Sequence, residues 1–183
     1  MAKKFSIESI YDTLHSRADI FFGVSRIFSF VEEFACDLDP DYQRGRVWTM
    51  EQQQNFIGFL LEGGVSHPVI INQGENFGGV DGEGSTEVLD GKQRISACMD
   101  FTNKEIGAKL TDGRVIQFDE LDTYSLRMLR MQIGMTFRVV GLSRVEALRW
   151  YLKLNRGGTV HSNEEINRVQ LLLDAMNVKK RRK

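Results

Sequence analysis

Apolar positions along the chain follow two different periods, and the polar residues between them mark where each run starts and stops. Three times a Ser or Thr stands three residues ahead of a Glu or Gln and just before an apolar stripe. In that pattern the cap side chain accepts from an orphaned backbone amide and so fixes a helix start. Thr49-x-x-Gln52 opens a helix carrying Phe56, Ile57, Leu60 and Leu61, which Gly63 and Gly64 stop. Ser143-x-x-Glu146 opens a second, with Val145, Leu148 and Leu152 on one face and an end near Asn155, ahead of Gly157-Gly158. Ser162-x-x-Glu165 opens the last, with Ile166, Val169, Leu172 and Leu173 facing inward. Ile27, Phe30, Val31 and Phe34 keep helical spacing and predict a short helix, and another is expected over 123–131.

Short β-branched runs fill the gaps. Residues 68–72 and 86–89 read as buried strands, and 114–118 and 135–140 as two more. Between the first two lies the glycine-rich stretch 73–85, read as a long hairpin loop. Its glycines do not match a dinucleotide fingerprint, and Asp81 and Glu83 do not make a calcium loop. Helices and strands are thus mixed, with hairpin-like joins, and no repeat or linker interrupts them. The pattern predicts a single α+β domain with a small mixed sheet and surrounding helices. The expected division is an N-terminal extension over 1–24, the domain over 25–176 and a basic tail over 177–183.

Composition narrows the class. With 183 residues, 42% hydrophobic and 27% charged, the chain can bury a core of ordinary domain size. No apolar run reaches the ~18–20 residues that cross a bilayer. The first residues lack a signal-peptide h-region, and Cys36 and Cys98 have no metal or disulfide-framework spacing. A reduced, cytoplasmic chain without a membrane partner is expected. The formal charge of −1 is uneven: Lys179, Lys180, Arg181, Arg182 and Lys183 carry +5, leaving −6 on the remainder. Such a body would not hold a long stretch of DNA across a wide face, although the tail could contact nucleic acid or an acidic partner locally. A solvated end is the plainer reading of that tail.

The chemistry concentrates in Glu87-Val88-Leu89-Asp90-Gly91-Lys92-Gln93-Arg94-Ile95-Ser96-Ala97-Cys98. A strand ends at Leu89, Gly91 makes a tight turn, and a helix begins at about Lys92. Amides at such a helix start point outward with the positive end of the dipole behind them, which suits a phosphate. Lys92 and Arg94 add charge, and Asp90 is placed to hold a divalent cation or orient a water. The same spacing also suits a plain turn with exposed charges. A second cluster, Asp39-Pro40-Asp41-Tyr42-Gln43-Arg44-Gly45-Arg46-Val47-Trp48, presents Gln43 and Arg44 from a loop that Tyr42 and Trp48 anchor. A third, Leu154-Asn155-Arg156-Gly157-Gly158-Thr159, reads as a helix end, with Asn155 and Arg156 available to close a pocket. His15, His67 and His161 have no ligand spacing, and no Walker sequence or GxSxG elbow is present.

Taken in order from about Ile27 to Val169, these segments resemble the family called domain of unknown function 262. That is the N-terminal domain of GmrSD-type modification-dependent restriction systems and related phage-defence proteins, within the ParB/sulfiredoxin-like superfamily. The resemblance implies a ParB-like α+β fold. It also implies a nucleoside triphosphate whose phosphates are held, and hydrolysed, at a loop that is usually Asp-Gly-Gln-Gln-Arg; the residues themselves add the expectation of magnesium near Asp90. Residue by residue, that loop falls on Asp90, Gly91, Lys92, Gln93 and Arg94, with Asp90, Gln93 and Arg94 in the catalytic positions. Gln43 and Arg44 match the companion motif. Lys92 stands where the family usually has glutamine, which bears on how water is oriented more than on phosphate binding. Many relatives carry a large C-terminal nuclease domain, whereas this sequence stops soon after Leu173, so DNA cleavage by this chain alone is not the leading expectation. The functions in view are an NTP-binding and hydrolysing domain, a DNA-binding or DNA-nicking protein, and a non-catalytic module that interferes with a defence system. Expected partners are a nucleoside triphosphate, DNA at the tail, and a protein partner or second copy of the chain.

Overall fold

The computed structural model describes residues 16–43, 45–73, 86–155 and 163–181, without the side chains at 16, 17, 155, 163–165 and 176–181. In chain order the elements are β1 (Ser16–Gly23), a 3-10 turn (Val24–Arg26), α1 (Ile27–Glu33), β2 (Cys36–Asp37), α2 (Met50–Leu61), β3 (Val69–Gln73) and β4 (Thr86–Asp90). There follow α3 (Lys92–Thr102), β5 (Ala108–Lys109), β6 (Val115–Ile116), a 3-10 turn (Phe118–Glu120), α4 (Thr123–Met131), β7 (Gly134–Val140), α5 (Arg144–Asn155) and α6 (Asn163–Arg181). Five strands form one sheet in the order β1-β7-β3-β4-β2, and β5 and β6 form a separate hairpin. The sheet is mixed: β1 is antiparallel to β7 and β3 to β4, while β7 pairs parallel with β3 and β2 with β4. This is the α+β organisation that the alternating patterns predict.

Alternation along β4 divides the interior in two. Val88 faces a core with Ile57, Leu60, Ile71, Ile95, Phe101 and Phe137, built by α1, α2 and α3. Its neighbour Leu89 faces the other side, where Leu148 and Tyr151 of α5, Val169 and Leu173 of α6, and Tyr42 from the loop ahead of α2 pack together. Each such fully buried side chain contributes roughly 1.5–3 kcal/mol through water exclusion. Helix α2 begins at the expected capping box: the Thr49 side chain accepts from the Gln52 amide, and the Gln52 side chain accepts from the Thr49 amide. It also runs close over β5, where a Cβ on Gly58 would lie 1.8 Å from the Lys109 carbonyl oxygen. Ser143 and Glu146 meet at the start of α5, the Ser143 amide donating to Glu146 at 2.9 Å and the Ser143 hydroxyl at 2.7 Å. Helix α4 spans the predicted 123–131, capped by Asp122 accepting from the Ser125 amide.

Three readings change. The stretch expected as an extension, 1–24, contributes β1, an edge strand in register with β7 from Ser16 to Gly23. It lacks clean alternation because Ile20 and Phe21 are exposed while Phe22 is buried, so its pairing comes from β7 and a bidentate Asp19–Arg138 ion pair at 2.8–2.9 Å. Of the strand expected at 114–118, only Val115–Ile116 pairs. Gln117 and Glu120 cap a 3-10 turn there, the Gln117 amide donating to Glu120 at 2.6 Å, and the chain bends away. On α6, Val169 and Leu173 are buried but Ile166 is exposed, because the packing face is narrower than the apolar pattern. The loop 74–85 and the cap at Ser162 lie outside the described residues. Among the described residues no helix is long and apolar enough to cross a membrane. Cys36 and Cys98 are unpaired and buried. Burial pushes the Cys36 thiol up to about 12 and raises that of Cys98 as well.

Candidate functional site

β4 ends at Asp90, and the turn into α3 is made by one residue. Gly91 sits at φ +102 and ψ 6, a left-handed conformation in which other residues are strained. A Cβ there would also lie 2.8 Å from Val69 Cγ2 and 3.1 Å from Arg94 Nη2, so glycine is required by both backbone and packing. As the N-cap of α3, Gly91 offers no side-chain oxygen to the first-turn amides, and that turn contains no acid. The charged residues of the first turn are therefore both cations, Lys92 and Arg94.

Both cations are engaged. Arg94 is only 13% exposed and pairs through Nη2 with Asp90 Oδ2 at 2.8 Å. Its Nη1 donates to the His67 carbonyl and its Nη2 to that of Pro68 at 3.4 Å, which ties the turn to the approach of β3. Lys92, 6% exposed, forms an ion pair with the largely exposed Asp39. Asp90 keeps 42% of its side chain exposed.

The loop holding the second motif is stitched to α3. Gln93 Oε1 accepts from the amides of Val47 at 3.1 Å and Trp48 at 3.2 Å, while Nε2 donates to the Gly45 carbonyl at 3.1 Å. Arg46 Nη1 reaches both oxygens of buried Asp100, at 2.9 and 2.8 Å, and Gln53 Nε2 donates to the same carboxylate at 3.3 Å. Gln43 Nε2 donates to the carbonyl of Val88 in β4. Trp48 packs edge-on against Phe56 with ring centroids 5.4 Å apart, the anchoring its position suggests.

A polar group on the other face of the sheet holds the start of the same loop. Arg144 at the head of α5 pairs with Asp41 and, at 3.0 Å, with Glu87, and its guanidinium lies 4.7 Å over the Tyr42 ring. Glu87 also accepts from Asn72 Nδ2 at 3.1 Å, and Asn72 Oδ1 accepts from the Leu142 amide at 2.8 Å. Burial, with the nearby Glu87 carboxylate second, raises the Tyr42 hydroxyl far above its ordinary pKa and keeps it protonated.

The structure thus brings Asp90, Gly91, Lys92, Gln93, Arg94 and Gln43 together. Gln43 and Gln93 are turned onto backbone, not toward an open ligand position. Arg44, Arg156 and the Asn155 side chain lie outside the described residues, as do Arg182, Lys183 and the side chains of Lys179, Lys180 and Arg181. The helix α6 itself continues to Arg181, into the stretch expected as a tail. The supports at Asp39, Arg46, Glu87, Asp100 and Arg144 were not singled out from the sequence. A signal for one of them is legible: Lys92, Ser96 and Asp100 recur every four residues along one face of α3 and are all buried. A single carboxylate beside phosphates fits magnesium, which is commonly held by one or two carboxylates plus substrate oxygens. Among the described residues no three His, Cys, Asp or Glu side chains gather as a metal cluster.

Comparison with protein families matches residues 24–172 to the N-terminal domain of the GmrSD restriction endonuclease. The chain belongs to this family. The Gln43–Trp48 loop and the Asp90–Arg94 turn fall inside the matched span, as do the elements from the 3-10 turn after β1 to Leu172 in α6. Neither a curated protein nor a solved structure matches the chain.

Proposed function

We propose that this GmrSD N-terminal domain binds a nucleoside triphosphate at the β4–α3 turn and hydrolyses it, as part of a phage-defence system of the restriction type, on a ParB/sulfiredoxin-like fold. The observation that carries the reading is the start of α3: a glycine cap, no acid in the first turn, and Lys92 and Arg94 as the only charges in it. Phosphate oxygens complete such a terminus, since the amides and dipole favour negative charge and a guanidinium fork matches it. Asp90, the more exposed partner of its ion pair, would hold magnesium together with phosphate oxygens, and the cation would neutralise charge developing on the transferred phosphoryl group. Arg94 and Lys92, already fixed by Asp90 and Asp39, would need little reordering to meet that charge.

The commitment of Gln93 to the Gly45–Trp48 backbone favours a second reading, a domain that binds nucleotide or a partner without turnover. One experiment separates them. In a thermal-shift screen of ATP, GTP, CTP and UTP with magnesium, a ligand at about 100 times its dissociation constant stabilises by about 2.7 kcal/mol. Stabilisation with phosphate release that Asp90→Asn abolishes supports hydrolysis; stabilisation without release supports the second reading. If millimolar nucleotide leaves the melt unmoved, the site assignment fails.

A further inference from the structure

The edge strand β1 finishes at the same end of the sheet as β4, since Gly23 pairs with Gly134 at the start of β7, and β7 runs parallel to β3 and β3 antiparallel to β4. Two strands lie between them, so three strand spacings, about 14 Å, separate β1 from β4 in the sheet. Beyond β1, two adjoining cavities open between the start of α1 and the end of α4. One, about 300 Å³, is lined by Ser25, Arg26, Ser29, Glu33 and Arg130 beside the buried rings of Phe22 and Phe30. The other, about 330 Å³, is lined by Ser25, Leu126, Arg127 and Arg130. Ser25 and Arg130 belong to both.

Three arginines, Arg26, Arg127 and Arg130, therefore line this pair of adjoining cavities. Among the described residues none of them is ion-paired with a carboxylate, Glu33 of the same cavity included. All three are exposed, so solvent screens their mutual repulsion, and an anion between them gains attraction from each. Guanidinium forks match phosphate oxygens in pairs, and the two serine hydroxyls add donors suited to the same oxygens. We propose that this recess is a second anion site, separate from the β4–α3 turn, and that it takes a small ligand bearing two linked phosphate groups, with Arg130 shared between them. Cavities of this volume are at the scale of small-molecule sites. A nucleic-acid strand fits less well: Glu33 interrupts a continuous phosphate track, and the chain ahead of its last five residues carries −6.

Calorimetric titration of inorganic pyrophosphate tests this. The Arg127→Gln/Arg130→Gln double variant is expected to bind one equivalent fewer than the unaltered protein, whereas Arg149→Gln, an exposed charge on α5, keeps it. Counting equivalents keeps the result independent of whether the β4–α3 turn also takes pyrophosphate. Arg26→Gln, read the same way, is expected to weaken binding about tenfold and serves if the double variant does not fold. Three results would overturn the proposal: no pyrophosphate bound, equal stoichiometry and affinity in the double variant, or inorganic phosphate binding as tightly as pyrophosphate. A short single-stranded oligonucleotide that binds through Arg127 and Arg130 in place of pyrophosphate would overturn it in favour of nucleic acid.

Discussion

Gln93 shows how a side chain of the proposed site can have a structural task of its own. A carboxamide both accepts and donates, so it can close two backbone amides and a carbonyl of a loop that has no regular partner, as it does at Gly45, Val47 and Trp48. Arg46 completes the same attachment. It is half exposed, and a surface substitution there would ordinarily change stability by less than about 0.5 kcal/mol. Its partner Asp100, however, is 7% exposed, and losing the guanidinium leaves that carboxylate, among the described residues, with Gln53 as its side-chain partner. Arg46→Ala is therefore expected to cost roughly 2–3 kcal/mol in chemical denaturation. Adding Asp100→Asn should recover part of the loss, because a neutral amide is cheaper to bury unpaired than a carboxylate. Additive costs in the double-mutant cycle would show that the pair does not work as a unit.

Between elements, backbone approach is as decisive as side-chain packing. Helix α2 can lie on β5 only because Gly58 has no Cβ, which would stand 1.8 Å from the Lys109 carbonyl oxygen. Gly58→Ala is expected to lower stability by about 1–3 kcal/mol or more despite alanine's better helix propensity, since a backbone oxygen cannot swing aside. Gly45→Ala, with nothing within 4 Å, is the matched control and should leave the melting temperature within a degree or two by the usual scale of surface substitutions. The contrast also marks what the sequence could disclose. Thr49 and Gln52 declared α2 because a capping box is local, and the β-branched runs at 68–72 and 86–89 declared buried strands within a residue of Val69–Gln73 and Thr86–Asp90. β1 did not, because Ile20 and Phe21 break its alternation and its partner lies more than a hundred residues away. The Asp-Gly-Lys-Gln-Arg turn was legible as a turn opening a helix with charge upon it. That Gln93 and Arg46 face the 39–48 loop and buried Asp100 depends on tertiary pairings that no local spacing encodes.

Over the whole molecule, several junctions rest on carboxylates at the surface. Asp19 joins β1 to β7 through Arg138, Glu51 joins α2 to β5 through Lys109, Asp112 closes the β5–β6 turn through Arg114, and Asp122 caps α4. Hydrogen bonds from Arg138, from Lys109, from the Arg114 amide and from the Ser125 amide hold these four carboxyls below their ordinary values. A carboxyl whose pKa is lower folded than unfolded leaves the unfolded chain binding more protons in acid. Stability from these groups is therefore complete above the unfolded values, about 3.9 for Asp and 4.3 for Glu, and is lost as pH falls through the folded ones. The melting temperature should be nearly level from about pH 8 to 5 and fall below about pH 4, less steeply in high salt, which screens exposed pairs. Asp122→Asn provides the sharper test, because asparagine caps a helix about as well as aspartate but does not titrate. That variant should match the parent near neutrality and lose less in acid; an acid limb of unchanged steepness would remove the α4 cap from the set of groups that set it.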